Sequence, residues 1–395
     1  MMELRFLTQE DKPRAAALWQ ARFGDPEAFT AWYFQNRFLP EHSVGLFEKD
    51  LLISMAHGTP ISLRMRHRVL PAMLVSGVAT IADRERQGHM RRVMAEMLRH
   101  ARACGCAAVL LKPAVPGVYD ALGFVPCSDS LRWQGRMDTA PALPAVEATV
   151  KELTDCYAKI MHNYSMSVVR DENAFGRKLA ENACDGGRVL AVANGAGLVG
   201  SARLADGTRL ANGAGLVGSA RLADGTRLAD GAGISGYALY HEEGDGCRLT
   251  EVVADAAGAP ALLQHFSARY AGQISAKLLP DAGISRELSA ALLPGVDMQG
   301  ERVAQNALTL VNVPMALGAI LGDADIKIGV SGSLIAEDNA VFDGKGNTIV
   351  DGAGDAACGG AHYRLSIGQL SQALCGYVPL GDLLPSVACC CVDEY

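Results

Sequence analysis

The hydrophobic pattern changes period twice between residues 72 and 124, and the rest of the chain can be read outward from there. Ala72 to Ile81 is a short apolar run that favours a strand, and it ends in a polar turn at Asp83 to Gln87. From Gly88 on, Met90, Val93, Met94, Met97, Leu98 and Ala101 recur at i, i+3, i+4, i+7, i+8 and i+11, one apolar face at helical period. Gly105 stops that helix. A second strand, Ala107 to Lys112, leads into PAVPGVYDALGF, read as a short helix opened by proline, carrying Tyr119 and closed by Gly123. Upstream lie a strand at Glu3 to Leu7, a helix capped by Thr8 and ended by Gly24, and a second helix, Glu27 to Phe38, capped by Asp25-Pro26. Three strand-like runs follow, Ser43 to Glu48, Leu51 to His57 and Pro60 to Arg66, so that residues 1–136 read as one α/β domain. His57, alone between strands, is expected to be a structural residue rather than a base.

Beyond it, Pro141 to Val146 reads as a linker. Helical patterns at Val150 to Asn163 and Glu172 to Asn182 precede a strand at Arg188 to Val192. A βαβ-like passage then covers Arg248 to Ala254, Ala259 to Ala271 and Gln273 to Leu279. Between them NGAGLVGSARLADGTRLA, residues 194–211, recurs unchanged at 212–229, and a third copy begins at Asp230 before diverging. Such identity points to a recent tandem duplication, and its Asn-Gly and Asp-Gly pairs predict hairpins. From about Asp297, strand-like runs appear at Thr309 to Val313, Ala324 to Val330, Ser333 to Ala336 and Asn339 to Phe342, and Ser366 caps a closing helix.

Composition narrows the function. With 395 residues, 49% of them hydrophobic and 20% charged, the chain has material for two or three domains with sizeable cores. A net charge of -7 argues against nucleic acid as a partner and suits a cationic substrate. MMELRFLTQEDKP lacks the basic-then-apolar order of a secretory signal, and Val303 to Gly322, the longest uncharged run, is broken by Gln305, Asn306, Asn312 and Pro314. A cytoplasmic protein without a membrane span is expected. The 11 cysteines show no disulfide or zinc spacing and read as reduced thiols. Cys104 with Cys106, and Cys389 to Cys391, are the soft-metal candidates; without paired C-x-x-C knuckles no metal is expected.

The charge that changes the picture sits at the wrong end of a helix. Arg84, Arg86, His89, Arg91 and Arg92 crowd the start of the helix that follows Gly88, where cations cost roughly 0.3–1 kcal/mol each. A bound phosphate or pyrophosphate resolves this, and Gly88, lacking a Cβ, lets it approach the backbone. These pieces together resemble the acetyl-CoA site of the GNAT N-acetyltransferases, and more closely the enhanced intracellular survival (Eis) family. The resemblance implies that Val78, Ala79 and Thr80, in the GVAT string, align the pantetheine. It implies that Arg86 and Gly88 hold the pyrophosphate, with Gln87, Met90 and Arg91 as further cofactor-binding residues of the same turn, and that Tyr119 in its YxxxGF string is the general acid. Glu85 departs from the family, which usually has an arginine there.

Residues 141–296 resemble the degenerate second GNAT domain of that family, without an Arg-rich glycine turn or YxxxGF string, and no cofactor is expected there. VNVPMALGAI, ADIKIGVSGSLIAEDNAVF and YRLSIGQLSQALCGY are similar to its sterol-carrier-protein-like C-terminal domain. The implied fold is α/β (α+β), tandem GNAT folds with mixed central sheets flanked by helices, followed by a sterol-carrier-like α/β domain, over 1–140, 141–296 and 297–395. By the same resemblance the terminal carboxylate of Tyr395 is the general base, and a homo-oligomer, with a hexamer as the family precedent, is expected. Asp25, Trp32 and Glu394 are candidates to bind the acceptor amine. The implied activity is transfer of the acetyl group of acetyl-CoA to an aminoglycoside, polyamine or lysine-like amine. The alternative is a non-catalytic CoA or lipid binder that keeps the fold.

Overall fold

The computed structural model describes residues 2–135, 145–193, 198–199, 227–228, 233–279, 301–349, 361–389 and 391. Contacts group the chain into two compact units: Met1–Ser128 with Ser165–Val169 and Ala304–Tyr395, and Asp129–Tyr164 with Arg170–Val303. The division into 1–140, 141–296 and 297–395 thus describes segments of sequence, while in space the first and third share a unit.

The first unit is built on a mixed sheet of seven strands. β1 (Met2–Phe6), β2 (Ser43–Glu48), β3 (Leu51–Met65) and β4 (Arg68–Thr80) run antiparallel in chain order. β5 (Ala108–Leu111) lies parallel to β4. β6 (Val125–Pro126) is separated from β5 by a strand from far along the chain, Ala307–Leu310, which pairs antiparallel with both. Helices cover both faces because the strands alternate. Val109 and Leu111 of β5 join Met73 and Val75 beneath the apolar face of α3 (His89–Ala103). Ala108 and Leu110 point the other way, into a cluster with Leu317, Leu370 and Leu374 from the C-terminal segment. Met55 and Ala79 meet α1 (Lys12–Phe23) and α2 (Glu27–Asn36) on the face opposite Ala56.

The second unit holds another mixed seven-stranded sheet. Its strands are β7 (Asp129–Gly135), β8 (Ala145–Val146), β9 (Arg188–Ala193), β12 (Ile234–Glu243), β13 (Gly246–Ala254), β14 (Ile274–Leu278) and β15 (Glu301–Ala304), β10 and β11 being the two-residue pair Leu198–Val199 and Arg227–Leu228. Its helices are α4 (Val150–Met161), α5 (Glu172–Cys184) and α6 (Gly258–Arg269). α6 connects the parallel pair β13 and β14, as α3 connects β4 and β5. In its core the Arg170 guanidinium forks onto Glu251 at 2.8 and 2.9 Å, and Tyr237 Oη donates to the same carboxylate at 2.6 Å.

In the C-terminal segment β16 (Ala307–Leu310) joins the first sheet and α7 (Val313–Ile320) follows at once. β17 (Lys327–Ser331) then pairs with β18 (Val341–Asp343) and β19 (Tyr363–Ser366), ahead of α8 (Ile367–Cys375). Ser366 caps α8 reciprocally with Gln369, as its position in the sequence suggests. Arg66 fastens the other end of α8, donating to the carbonyls of Ala373, Leu374 and Pro385.

Several elements differ from the hydrophobic pattern. Leu51 to Met65 is one strand, not two, because Gly58 and Thr59 stay in register opposite Val75 and Leu74. The stretch around Tyr119 is a single 3-10 turn, Asp120–Leu122, with Tyr119 as its cap. Ala145 and Val146, read as linker, pair with Val192 and Ala191. The strand expected at Thr309 to Val313 is displaced to Ala307–Leu310, since Asn312 accepts from Met315 N–H and opens α7. Ser333 to Ala336 is turn, held by Asn339 bonding to Ser333 and Ile335. Apart from β10 and β11, the tandem repeat lies outside the described residues, as do Glu394 and Tyr395.

Candidate functional site

The site grows out of a defect in β4. Its ladder with β5 ends at Val75↔Leu111, while β4 continues to Thr80 along β3, so the two parallel strands part beyond Val75. Just there the register on the other edge slips: Met55 faces Ala79 and His57 faces Ser76, leaving Gly77 and Val78 opposite Ala56 alone. Gly77 takes φ +58°, and a Cβ built on it would lie 2.6 Å from the Trp19 ring and 2.8 Å from His57 Nδ1. A glycine is required on both counts. The bulge re-aims the end of β4, leaving Val78 and Thr80 half-buried; Ser54 Oγ holds Thr80 Oγ1 at 2.9 Å and the Ala79 carbonyl at 3.0 Å.

Beneath the bulge is an aromatic box. Trp19 stacks on Tyr33 with ring centroids 4.3 Å apart, and Trp19, Tyr33, Phe34 and Phe38 surround the His57 ring. Tyr33 Oη lies 3.2 Å from His57 Nδ1 and 3.0 Å from Ser76 Oγ. Burial lowers His57 to about 3, so its ring is neutral at physiological pH and packs as a structural group. Asp25 Oδ2 accepts from Trp19 Nε1 at 2.7 Å, which ties the α1–α2 corner to the box. Trp32 is half-buried on α2, with the Arg37 guanidinium 5.9 Å from its ring.

The turn after β4 is now concrete. Arg84 pairs with Glu48 at 3.0 Å and Glu85 pairs with Arg22 of α1, so the Glu85 carboxylate has a neighbouring cation as its partner. Arg86, exposed, adopts φ +59°, and Gly88 follows as the cap of α3 at φ +80° with open space where a Cβ would stand. No side chain caps α3, so its first N–H groups are left to solvent or to a ligand. Among the described residues neither Arg86 nor Arg91 has a carboxylate within ion-pair distance, and both are exposed. His89 is 6% exposed and so stands apart from these surface cations. Gln87 is exposed; its amide donates to the Asp83 carbonyl at 3.4 Å.

Val78, Met90 and Tyr119 all pack, half-buried, against one apolar cluster under α3. That cluster brings the parted strand, the glycine-capped helix and the tyrosine turn to one place. Tyr119 lies edge-on to Phe124 at 5.8 Å, and burial pushes its hydroxyl up to about 12. The parts the sequence did not disclose are the bulge at Gly77, the box around His57 and the Arg22–Glu85 pair. Of these only Gly77, at the head of the GVAT string, left a local signal.

Residues 3–127 match the family model of the acetyltransferase (GNAT) domain. No curated protein matches the sequence. Among solved structures, a probable N-acyltransferase of Enterococcus faecalis V583 is 13% identical over 100% of both chains, with a TM-score of 0.74. A GCN5-related N-acetyltransferase of Kribbella flavida is 15% identical over 100% of both chains, with a TM-score of 0.70. Eis1 of Mycobacterium abscessus is 14% identical over 100% of both chains, with a TM-score of 0.67. At such identities the likeness is one of fold, and it extends along the whole chain, consistent with tandem GNAT-like units. Among the described residues no helix is long and apolar enough to cross a membrane.

Proposed function

Proceeding from an acetyltransferase (GNAT) domain over residues 3–127, we propose that this acyltransferase moves the acetyl group of acetyl-CoA to a primary amine. The observation that carries the reading is the packing of Val78, Met90 and Tyr119 on one cluster, at the point where β4 leaves β5. In this reading the pantetheine lies along Val78, Ala79 and Thr80, in place of the strand that β5 fails to supply. The pyrophosphate sits on the bare backbone at Gly88 and the first turn of α3, flanked by Gln87, Arg86 and Arg91; a helix N-terminus with free N–H groups suits an anion. The Glu85 charge is taken up by Arg22 and does not face the phosphates unpaired.

The amine nitrogen attacks the thioester carbon, forming a C–N bond and a tetrahedral oxyanion that N–H groups at the open edge of β4 near Val78 steady. The C–S bond then breaks. Tyr119, raised to about 12, stays protonated at every physiological pH and so always holds its O–H on the departing sulfur. Because the thiol's reference pKa is ~8.5, the proton moves to sulfur only as the one lost by the amine replaces it, and Tyr119 ends the cycle protonated. The ammonium formed gives up one proton to the base, for which we propose the Tyr395 carboxylate. Asp25, Trp32 and Glu394 are proposed to receive the amine, with an aminoglycoside, polyamine or lysine side chain as the acceptor class. We also propose that 297–395 serves as a sterol-carrier-like domain and that the chain forms a homo-oligomer in the cytoplasm.

The experiment is Tyr119→Phe, assayed by thiol release from acetyl-CoA against a panel of amines. Loss of a general acid should lower kcat by about 10²–10³ while KM for acetyl-CoA changes by less than ~3-fold. An unchanged kcat overturns the role of Tyr119. Calorimetric CoA binding without transfer to any amine would instead favour the non-catalytic binder.

A further inference from the structure

A second cluster of chemistry lies at the opposite end of α3 from Gly88, and the transfer reaction does not use it. His100 stands in the last turn of the helix and Cys104 is its C-cap, so the two fall at i and i+4 on one face. His42 ends the 3-10 turn Pro40–His42 that leads into β2. His42 Nδ1 is 2.8 Å from His100 Nε2, and Cys104 Sγ is 3.5 Å from that same Nε2. One ligand atom from each residue lies within 4.8 Å of the other two.

The i, i+4 spacing sets Cys104 beside His100, and the 3-10 turn brings His42 to the same ring. Cys104 Sγ lies beside the same ring, 3.5 Å from Nε2 and 3.9 Å from Nδ1, so an imidazole pair and a thiol gather at one point. Around a tetrahedral zinc, bonds of ~2.0–2.1 Å to nitrogen and ~2.3 Å to sulfur put ligand atoms about 3.3–3.6 Å apart. The two distances to His100 Nε2 are therefore within roughly half an ångström of that spacing before any ion is present, and His42 and Cys104 have ligand atoms within 4.8 Å of each other. The ring of Phe6 lies 4.6 Å from that of His100 and holds it in place.

The electrostatics agree. The carbonyls at the end of α3 carry partial negative charge that favours a cation. Glu96 is paired with Arg99 at 2.9 Å, and Arg102 turns away to Asp338 at 2.8 Å, so neither arginine faces the cluster unpaired. Cys104 is exposed, whereas Cys106, its neighbour in sequence, is buried.

We propose that His42, His100 and Cys104 form a binding site for a borderline-soft divalent cation, zinc by its two imidazoles and one thiolate, with water completing the tetrahedron. The ion clamps the last turn of α3 to the turn that precedes β2. On binding, the ring whose N–H bridges to the other moves that proton to its far nitrogen, so both imidazoles ligate as neutral rings, and the Cys104 thiol proton is released to solvent; no electron changes hands.

The test is cobalt(II) titrated into the full chain under reducing conditions. A near-ultraviolet thiolate-to-cobalt charge-transfer band should rise to saturation at one ion per chain, together with visible bands of tetrahedral intensity, and should be bleached by one equivalent of zinc(II). Cys104→Ser, an exposed position whose change leaves the fold intact, should abolish the charge-transfer band. His42→Ala should weaken binding by at least about tenfold. In the wild type, zinc(II) should slow alkylation of Cys104 by iodoacetamide. Absence of the band, its survival in Cys104→Ser, or an alkylation rate indifferent to zinc(II) would each overturn the site.

Discussion

Gly77 and Gly88 both hold a left-handed backbone, at φ +58° and +80°, yet the structure assigns them opposite consequences when each is changed to alanine. A Cβ in this region costs roughly 1–2 kcal/mol at either position. At Gly88 nothing else is added, since no atom lies within 4 Å of the new methyl. At Gly77 the methyl would sit 2.6 Å from Trp19 and 2.8 Å from His57 Nδ1. Both rings are buried, 5% and 1% exposed, and locked by neighbours, so they cannot swing aside. Overpacking of this kind costs a further ~1–3 kcal/mol, giving about 2–5 kcal/mol for Gly77→Ala. At about 2–4 °C per kcal/mol for a unit of this size, Gly77→Ala should melt at least ~4 °C lower, and Gly88→Ala only ~2–8 °C lower at most.

Acetyl-CoA kinetics should separate the two variants in the other direction. The Gly88 methyl stands where the pyrophosphate is proposed to lie and should raise KM for acetyl-CoA about tenfold, a loss of ~1.4 kcal/mol of binding. Gly77→Ala, measured below its melting range, should show less change in that KM. Urea unfolding followed by Trp fluorescence, with initial-rate kinetics on the same samples, decides the matter. A Gly88→Ala protein destabilised as much as Gly77→Ala and binding acetyl-CoA normally would refute the reasoning about both glycines.

Two further outcomes follow from groups elsewhere in the chain. His57 is lowered to about 3 by burial from an unfolded value near 6.5, so the unfolded chain binds its proton first and stability is full above pH 6.5 and falls as pH drops towards 3. This amounts to about 2 kcal/mol lost between pH 6.5 and 5; His100, His241 and His265, lowered chiefly by burial, add in the same sense, so the measurement is the smaller slope of His57→Gln in urea melts across that window. Arg170→Met strands the buried Glu251 carboxylate and should cost the second unit about 3–5 kcal/mol by denaturant unfolding, whereas Arg170→Met combined with Glu251→Leu should recover most of it; a single variant as stable as wild type would mean the pair contributes little.

The elements that carry strong periodicity were legible in the sequence. α3 needed only its apolar face and its flanking glycines, and Ser366 announced α8 as a helix cap. The gathering of Val78, Met90 and Tyr119 came from the resemblance of the GVAT, glycine-turn and YxxxGF strings to a GNAT site, since periodicity alone says nothing of which element ends meet. What stayed hidden depends on partners distant in the chain. Ala145 and Val146 are strand only because Val192 and Ala191 offer them an edge, and a proline-rich, alanine-rich context concealed it. β12 emerges directly from the diverging third copy of the repeat, where glycines mask the start of a buried run. The pairing of Glu85 with Arg22, 63 positions away, and the meeting of His42 with His100, 58 positions away, leave no trace in spacing at all.

The strand Ala307–Leu310 supplies the only ladder that β6 makes among the described residues and closes the free edge of β5. A ribosome that has released the first 127 residues has therefore delivered every cofactor-facing position proposed in this domain, but not the strip that finishes its sheet. That strip arrives some 180 residues later, after the whole second unit has been made. Until then β5 and β6 present unsatisfied edges, and the nascent domain is exposed to pairing with other chains. Expressing the family-matched segment alone is thus expected to yield insoluble material, while adding residues 304–391 in trans supplies what the truncated polypeptide lacks.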